Sequence, residues 1–250
     1  MTLDSQTALH ATRVILGIGL AIQSLEILTA RQAHAPLCAG KHPLGFATQW
    51  LNAKMIVRLA LSGVLILGPG KYLSVIEPVL WMSLILSSAG LIVRFGGPLG
   101  GGSDSMFFQA QIGMLIASFG AVNPTLVRVG LGWIAAQSVL SYALAGISKL
   151  RNENWRNGGA MQTLLRSNGP YTLFAPTRSL ANSKTLCMTL STLIALFEIS
   201  FPWVLVLPQN FKLAILAAGL AFHITNAVIL GLNRFIWAWL ATYPALLFFA

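Results

Sequence analysis

Long apolar runs, separated by short breaks of glycine, proline and polar residues, dominate the chain. A helix that crosses a bilayer needs about 20 mostly apolar residues, and such breaks mark where one helix ends and the next begins. The pattern predicts about eight membrane helices, at residues 12–28, 52–67, 72–94, 105–122, 125–150, 184–207, 211–232 and 233–249. The predicted fold class is therefore all-α, a polytopic transmembrane helical bundle that forms one integral-membrane domain over residues 1–250.

The connections between these runs differ in length. Those at 68–70 and 207–210 are so short that the flanking helices must pack as antiparallel hairpins. The connections at 29–51 and 151–183 are long and contain amphipathic pieces, and residues 155–165 are predicted to form a short interfacial helix. A glycine-rich stretch at 96–103 is unsuited to a helix, and its bare backbone could approach a ligand or a neighbouring helix closely.

Composition agrees with a membrane protein of several spans. Of 250 residues, 56% are hydrophobic and only 9% are charged, whereas a soluble domain carries about a quarter charged residues. The net charge of +10 arises from cations in the connections, not on one amphipathic face. Anionic lipid headgroups therefore explain these cations better than nucleic acid does. Membrane lipids are predicted contacts, and no nucleic acid is expected.

The cations also bear on orientation. The odd-numbered connections hold Arg31, Lys41, Lys54, Arg94, Lys149, Arg151, Arg156, Arg166, Arg178, Lys184 and Arg234, whereas the even-numbered ones hold only Lys71, Arg128 and Lys212. The positive-inside rule would place the odd connections in the cytoplasm and both termini outside. A site for an anionic ligand on the odd side would gather cations for a different reason, so the orientation stays open.

Lys149 lies where an apolar helix ends, close to the predicted edge of the hydrocarbon. A lysine there is costly unless it snorkels to the interface, pairs with an acid or acts chemically. In a poorly hydrated pocket an amine loses the solvation that favours its charged form, so it can act as a base. Trp155, six residues on, is either an ordinary interfacial aromatic residue or the closure of such a pocket.

Ionisable residues inside the other apolar runs are candidates for a functional cavity. Glu198 and His223 lie nearest to mid-helix, where a functional and a structural role are equally compatible with the sequence. Glu26 and Arg58 could pair, or reach the interface, to hold helices in register, and Glu77 before Pro78 suits a structural role at the interface. Asp104 follows the glycine-rich stretch, where it could cap the next helix, orient a substrate or pair with Arg94.

The cysteines and histidines give no metal site. Cys38 and Cys187 have no C-x-x-C spacing and are predicted to be unpaired. His34, Cys38 and His42 recur every fourth residue, but the prolines and glycine around them disfavour a helix, and no fourth ligand is evident. No metal is therefore predicted.

Three stretches together resemble a known family. The segment from Ala145 to Leu150, followed by Trp155 and Gly158, resembles the horizontally transferred transmembrane (HTTM) family, the membrane part of vitamin K-dependent gamma-carboxylases and their bacterial relatives. The segment 222–226, with 230–237 and 242–244 after it, resembles the late helix pair of that family. The segment 102–104 resembles the stretch before its central helices. The resemblance implies a multi-pass protein of the bacterial inner membrane.

The resemblance also implies a chemistry. In the carboxylases, the lysine that matches Lys149 deprotonates reduced vitamin K, and oxygenation of the quinol then drives carboxylation of a peptide glutamate. A reduced quinone is thus the cofactor that the resemblance implies. The carboxylases have an active-site histidine in the segment that matches 102–105, where this chain has Asp104. They also continue into a large domain that binds the substrate propeptide, so a partner would have to supply peptide recognition here.

Three functions remain after these observations. The first is a quinol-linked enzyme or peptide-maturation factor with Lys149 as base, in which Asp104, Glu198, His223 and Asn226 shape the pocket and Trp155 closes it. The second is a non-catalytic integral subunit or assembly factor of a larger membrane complex. The third, a carrier of small solutes or lipids, is disfavoured because no inverted repeat is visible.

Overall fold

The computed structural model describes residues 3–29, 47–68, 73–94, 102–166 and 177–249, with side chains except at 47–49, 73–74, 94 and 177–178. Nearly all of this part of the chain is helical and none of it is strand, which confirms the predicted all-α membrane bundle. The helices are α1 Ser5–Thr29, α2 Ala47–Leu67, α3 Leu73–Arg94, α4 Gly102–Ser118, α5 Thr125–Arg151, α6 Glu153–Arg156, α7 Gly159–Arg166, α8 Thr177–Leu180, α9 Lys184–Ser200, α10 Gln209–Leu230, α11 Asn233–Leu240 and α12 Tyr243–Phe248.

The predicted number of eight membrane helices is not confirmed. Within the described ranges, six helices are long and apolar enough to cross a membrane, namely α1, α2, α3, α5, α9 with its 3₁₀ extension, and α10. Helix α4 has 17 residues, and the run predicted as one helix at 233–249 is two helices, α11 and α12. The break follows from Pro244, which has no N–H to continue the ladder and opens α12 instead.

Small residues bring the long helices together. At Gly17 on α1, an added Cβ would lie 3.3 Å from the carbonyl oxygen of Ser62, so α1 and α2 are in close contact. At Gly130 on α5, an added Cβ would lie 2.8 Å from the backbone nitrogen of Ala117 on α4. Without a hydrophobic force between helices in lipid, such close backbone approach supplies packing that larger residues would prevent.

The segment that joins α11 to α12 is buried inside the bundle. Every residue from Ala241 to Leu246 is buried, and the segment packs against α1, α4 and α5. At the break, the Thr242 hydroxyl lies 2.7 Å from the Trp239 carbonyl oxygen, to which it can donate, and 2.9 Å from Ser138 Oγ on α5. The Thr242 hydroxyl and the Trp239 carbonyl group at the break thus have partners within the protein, as lipid requires.

Consecutive long helices run in opposite directions, so their termini lie at two ends of the bundle. One end, called here the Asp4 end, holds the start of α1, the last turn of α2, the first turn of α3, and the starts of α5 and α10. The opposite end, called the Lys149 end, holds the last turns of α5 and α10 together with α6, α7 and α8. At the Asp4 end, the hydroxyl and backbone N–H of Thr7 donate to Asp4, and these bonds hold the pKa of that carboxyl below its usual value.

The short helix predicted at 155–165 is present as two helices. Helices α6 and α7 flank Gly158, whose positive φ of 79° requires a residue without a Cβ. In α7, Met161 and Leu165 are buried and Arg166 is exposed, so this helix has the amphipathic character that the sequence predicts. Two of the features considered in the sequence, Cys38 and the stretch from His34 to His42, lie outside the described residues, as do residues 95–101.

Candidate functional site

Lys149 and Glu198 form an ion pair where α5 crosses α9. The crossing is close because Gly146 faces α9: an added Cβ there would lie 2.7 Å from the backbone nitrogen of Ile199. One turn further along α5, Lys149 Nζ lies 2.7 Å and 2.6 Å from the two carboxylate oxygens of Glu198. The Lys149 and Glu198 side chains are 17% and 5% exposed, so the pair is largely buried within the protein.

Trp155 covers the lysine from the side of the connecting segment. Its ring centroid lies 5.1 Å from Lys149 Nζ, within the range of a cation–π contact. The ring is placed by a tight turn after α5, in which the Asn152 side chain accepts from the backbone nitrogen of Asn154. Gly158 then packs against α9, where an added Cβ would lie 2.6 Å from the nitrogen of Met188. The turn and the close approach of Gly158 to Met188 thus hold α6 and α7 against the N-terminal part of α9.

A second polar pair lies deeper in the bundle. The Tyr142 hydroxyl is 2.6 Å from His223 Nε2. Tyr142 precedes Lys149 by seven residues, which places both on one face of α5 about 10.5 Å apart along the axis. His223 Nδ1 is buried and has no hydrogen-bond partner among the described residues.

Aromatic rings surround this second pair. Tyr142 stacks on Phe201 with centroids 3.7 Å apart, and His223 stacks on Trp239 with centroids 4.8 Å apart. Trp239 in turn stacks on Phe235, at 5.1 Å and an interplanar angle of 9°. The deep end of the site therefore has two stacks of rings, and the Tyr142 ring lies at 75° to that of Trp239. The stack of His223, Trp239 and Phe235 lines the cavity and is suited to a planar ligand.

A cavity of about 790 Å³ connects the two polar pairs. It lies between α4, α5, α7, α9, α10 and α11, and its volume is in the range of small-molecule sites. Leu140 and Leu144 line it and are 49% and 55% exposed, so the cavity is open at that edge, along the apolar flank of α5. The predicted site residues that line it are Lys149, Trp155, Glu198, His223 and Asn226.

Asp104, the remaining predicted site residue, belongs to a different cluster. Its neighbours Gly102 and Ser105 line the cavity, but Asp104 is not among the described lining residues. Its Oδ1 instead accepts hydrogen bonds from Gln23 Nε2 at 2.6 Å and from Arg234 Nη1 at 2.8 Å. The structure thus places Asp104 beside the cavity, on the side that faces α1 and α11.

The cluster around Asp104 continues through Gln23 to Arg58, which is 1% exposed. Arg58 Nη2 donates to Gln23 Oε1 at 2.7 Å, and Nη1 donates to Ser88 Oγ at 2.8 Å. Arg234 also pairs with Glu26, at 3.2 Å from its Nε. Two cations and two carboxylates thus balance one another across α1, α2, α4 and α11. Here this group is called the Arg58 cluster: Gln23, Glu26, Arg58, Ser88, Asp104 and Arg234.

Several residues of the site were not among those predicted from the sequence. Tyr142, Gln109, Phe235 and Trp239 line the cavity. The position of Tyr142 on the same helical face as Lys149 was a signal available in the sequence. The other three come from α4 and α11, whose approach to α5 no local pattern indicates. Among the described residues, no group of three or more histidine, cysteine, aspartate or glutamate side chains is placed to hold a metal, and Cys187 is buried and unpaired there.

Comparison with known proteins gives one match. A family model described as the HTTM domain matches residues 122–250, which is just over half of the chain. No curated protein matches, and neither does any solved structure. The matched region contains Lys149, Trp155, Glu198, His223 and Asn226, whereas Asp104 and most of the Arg58 cluster precede it.

Proposed function

The chain belongs to the HTTM domain family, and from this premise we propose that it binds a reduced quinone in the cavity and that Lys149 is the base of the site. Within this proposal the quinol-linked step serves the modification or maturation of a peptide, which is the activity that the resemblance to gamma-carboxylases implies. The observation that carries the proposal is the position of the Lys149 amine, which lies in the wall of an apolar cavity and is held by a carboxylate.

The cavity has the features that a quinol requires. Its walls are mostly apolar, and the stacked rings of His223, Trp239 and Phe235 offer a planar surface. Three buried polar atoms on lining residues lack a hydrogen-bond partner within the described part of the chain: Gln109 Oε1, His223 Nδ1 and Trp239 Nε1. A hydroxyl both donates and accepts, so it can satisfy either an amide oxygen or an indole N–H. These unsatisfied atoms support a ligand with polar substituents on a flat apolar body.

Lys149 and Glu198 would act together in the proposed site. A bound quinol would supply an acidic hydroxyl and reducing equivalents. As an ammonium, Lys149 Nζ cannot accept a proton, so the amine must first pass one to Glu198, whose two oxygens are both within hydrogen-bond distance. Lys149 Nζ then accepts the proton of the ligand hydroxyl, and the protonated Glu198 keeps its hydrogen bond to the amine. Trp155 excludes water on the open side of the pair.

Ligand binding tests this proposal directly. In nanodiscs, a naphthoquinol analogue is titrated against the tryptophan fluorescence of the protein, since Trp155 and Trp239 line the cavity. The double variant Lys149→Met/Glu198→Gln removes both charges and leaves no unpaired ion. We expect it to bind the quinol at least about tenfold more weakly, because a charge-assisted hydrogen bond is lost.

Lys184→Met is the matched control, because Lys184 is exposed at the start of α9 and does not line the cavity. It should bind as the unaltered protein does. Equal affinity in the double variant, or no quinol binding by the unaltered protein, would remove the basis of the proposal.

The geometry of the Lys149–Glu198 ion pair also favours a second function. Both carboxylate oxygens of Glu198 accept hydrogen bonds from the single amine of Lys149. Such an ion pair also suits a structural link between α5 and α9 in a non-catalytic subunit of a membrane complex. That function predicts stoichiometric co-purification with one partner complex in mild detergent. Recovery as an isolated protein that binds quinol supports the first function and opposes the second.

A further inference from the structure

A second cavity lies at the Asp4 end, away from the quinol site. It has a volume of about 280 Å³ and lies between α1, α3 and α4. Gln6, His10, Arg13, Glu77 and Ser118 contribute polar groups to its wall, and Leu9, Met114 and Ala117 close it toward the bundle. By volume the cavity holds about nine molecules of water at their share of the liquid, which is room for a small polar headgroup.

The opposite charges of Arg13 and Glu77 in this cavity do not form a hydrogen-bonded ion pair. Arg13 Nη1 is 3.7 Å from Glu77 Oε1, beyond hydrogen-bond distance, although both side chains are only 17% exposed. Arg13 Nε is buried and has no hydrogen-bond partner in the described ranges. Half-satisfied charges are costly at the edge of a membrane. A ligand that engages both of them would offset that cost.

His10 adds a donor to the same wall. Its Nδ1 lies 2.8 Å from Arg13 Nη2, and a guanidinium nitrogen only donates, so Nδ1 must be the unprotonated nitrogen. The proton of the neutral ring is then on Nε2. The wall therefore offers guanidinium and imidazole donors for an anionic group, and the Glu77 carboxylate for a cationic one.

The pattern of charge selects a ligand that carries both signs. A simple anion would meet the Glu77 carboxylate, and a simple cation would meet the Arg13 guanidinium. A zwitterion with a phosphate and an ammonium group matches Arg13 and Glu77 at once. A quaternary ammonium has no N–H to donate, so a primary ammonium fits the carboxylate better.

The level of the cavity in the bundle suits the headgroup of a lipid. Glu77 lies about one turn into α3, and exposed apolar side chains of the same helix, Val75, Ile76 and Val79, flank it. Acyl chains of a lipid could lie along that surface while its headgroup enters the cavity. We propose that the cavity between His10, Arg13 and Glu77 is a binding site for a phosphoethanolamine group, as presented by phosphatidylethanolamine in the surrounding leaflet.

Native mass spectrometry of the purified protein tests this site. The protein is equilibrated in bilayers with equal amounts of phosphatidylethanolamine, phosphatidylglycerol and phosphatidylcholine, extracted in mild detergent, and the retained lipids are counted. The unaltered protein should retain phosphatidylethanolamine about tenfold over the other two, which is the scale of one charge-assisted hydrogen bond. Absence of that preference overturns the proposal.

Two variants test the contributions of the Arg13 and Glu77 charges one at a time. Arg13→Gln should lower the retention of phosphatidylethanolamine about tenfold. Glu77→Gln should remove the discrimination against phosphatidylglycerol, because the carboxylate that repels an anionic lipid is gone. Arg128→Gln is the control, since Arg128 is exposed at the same end and does not line the cavity. If Glu77→Gln alters the lipid ratio no more than Arg128→Gln does, the proposal fails.

A competition experiment uses the unaltered protein, so its outcome does not depend on whether a variant folds. Soluble glycerophosphoethanolamine is added in excess to the lipid-loaded unaltered protein. Retention of the lipid supports phosphatidylethanolamine as the occupant, whereas displacement supports a soluble phosphoethanolamine compound as the ligand of the same groups. Equal displacement by glycerophosphoethanolamine and glycerophosphoglycerol contradicts recognition of the ammonium group. None of these outcomes depends on quinol binding at the other end.

Discussion

Two of the polar regions inside this bundle, the Lys149–Glu198 pair and the Arg58 cluster, satisfy their charges in different ways. Lys149 meets its carboxylate directly, at 2.6 and 2.7 Å, and lines a large cavity. Within the described part of the chain, Arg58 meets no carboxylate directly and is linked to Asp104 through the amide of Gln23. The comparison teaches that an ion inside a membrane helix does not by itself mark a site, because space for a ligand beside the ion is what separates the two cases.

The two regions also differ in how many helices they join. The Lys149–Glu198 pair joins α5 to α9, whereas hydrogen bonds and ion pairs of the Arg58 cluster join α1, α2, α3, α4 and α11. Arg234 of that cluster lies on the same helix as Phe235 and Trp239, which wall the cavity. The cluster therefore helps to position the aromatic wall although none of its six members lines the cavity.

The largest effect is expected from Arg58→Met. The change leaves Gln23 Oε1 without the donor that Arg58 supplies, removes one of the two donors to Ser88 Oγ, and leaves the two carboxylates of the cluster with one cation. It should therefore lower the free energy of unfolding by about 3–5 kcal/mol. Unfolding in sodium dodecyl sulfate, followed by circular dichroism, measures this. A loss below about 1 kcal/mol would mean that the cluster does not hold the helices together, and the contrast with Lys149 would disappear.

A smaller effect is expected from Gly146→Ala, which changes the crossing that brings Lys149 to Glu198. The added methyl group would lie 2.7–2.8 Å from backbone atoms of Ile199 and Ala195, which cannot move aside as a side chain can. The helices must separate, at a cost of about 1–3 kcal/mol, and the distance between Lys149 and Glu198 should increase. The same unfolding assay and quinol titration report the two consequences.

Gly63→Ala is the control for that substitution. An added Cβ at Gly63 meets no atom of the described residues within 4 Å, so the change should leave quinol affinity unchanged and should not destabilise the bundle. If Gly146→Ala behaves like Gly63→Ala, the close crossing is not what places the lysine.

The smallest effect is expected from Tyr142→Phe, which acts at the deep end of the cavity. The change removes the hydroxyl that lies 2.6 Å from His223 Nε2 but keeps the ring that stacks on Phe201. The loss of one buried hydrogen bond should lower the free energy of unfolding by about 1 kcal/mol. Quinol affinity should change as well if the ligand reaches His223, and an unchanged affinity would confine the ligand to the Lys149 end.

Much of the architecture was predictable because apolar length is a local property of the chain. The predicted bounds of the helix at 125–150 differ from those of α5 by one residue, and the predicted helix at 184–207 corresponds to α9 with its 3₁₀ extension, Phe201–Leu205. The run at 233–249 misled the prediction because its apolar content is continuous through Pro244. The effect of that proline on the backbone, rather than the hydropathy, divides it into α11 and α12.

The candidate site was predictable only in part. Lys149 could be singled out because a lysine at the end of an apolar helix demands a partner, but the sequence did not identify that partner. Glu26 and Arg58 were considered as a pair, whereas Glu26 contacts Arg234 and Arg58 contacts Gln23 and Ser88. Uncharged amides and hydroxyls carry no strong signal in an apolar run, although in lipid they complete the hydrogen bonding of an ion.

The sequence by itself determined that this protein is a helical membrane bundle and which of its residues are too polar for lipid. Both follow from the cost of moving charge and unpaired backbone groups into hydrocarbon, which each segment meets locally. The tertiary structure decided the pairing of those polar residues. It also decided that Lys149 and Glu198 line a cavity whereas the six residues of the Arg58 cluster do not. Polar residues that are far apart in the chain come within hydrogen-bond distance only when their helices pack together. That packing depends on small residues such as Gly146 and Gly130 as much as on the polar groups themselves.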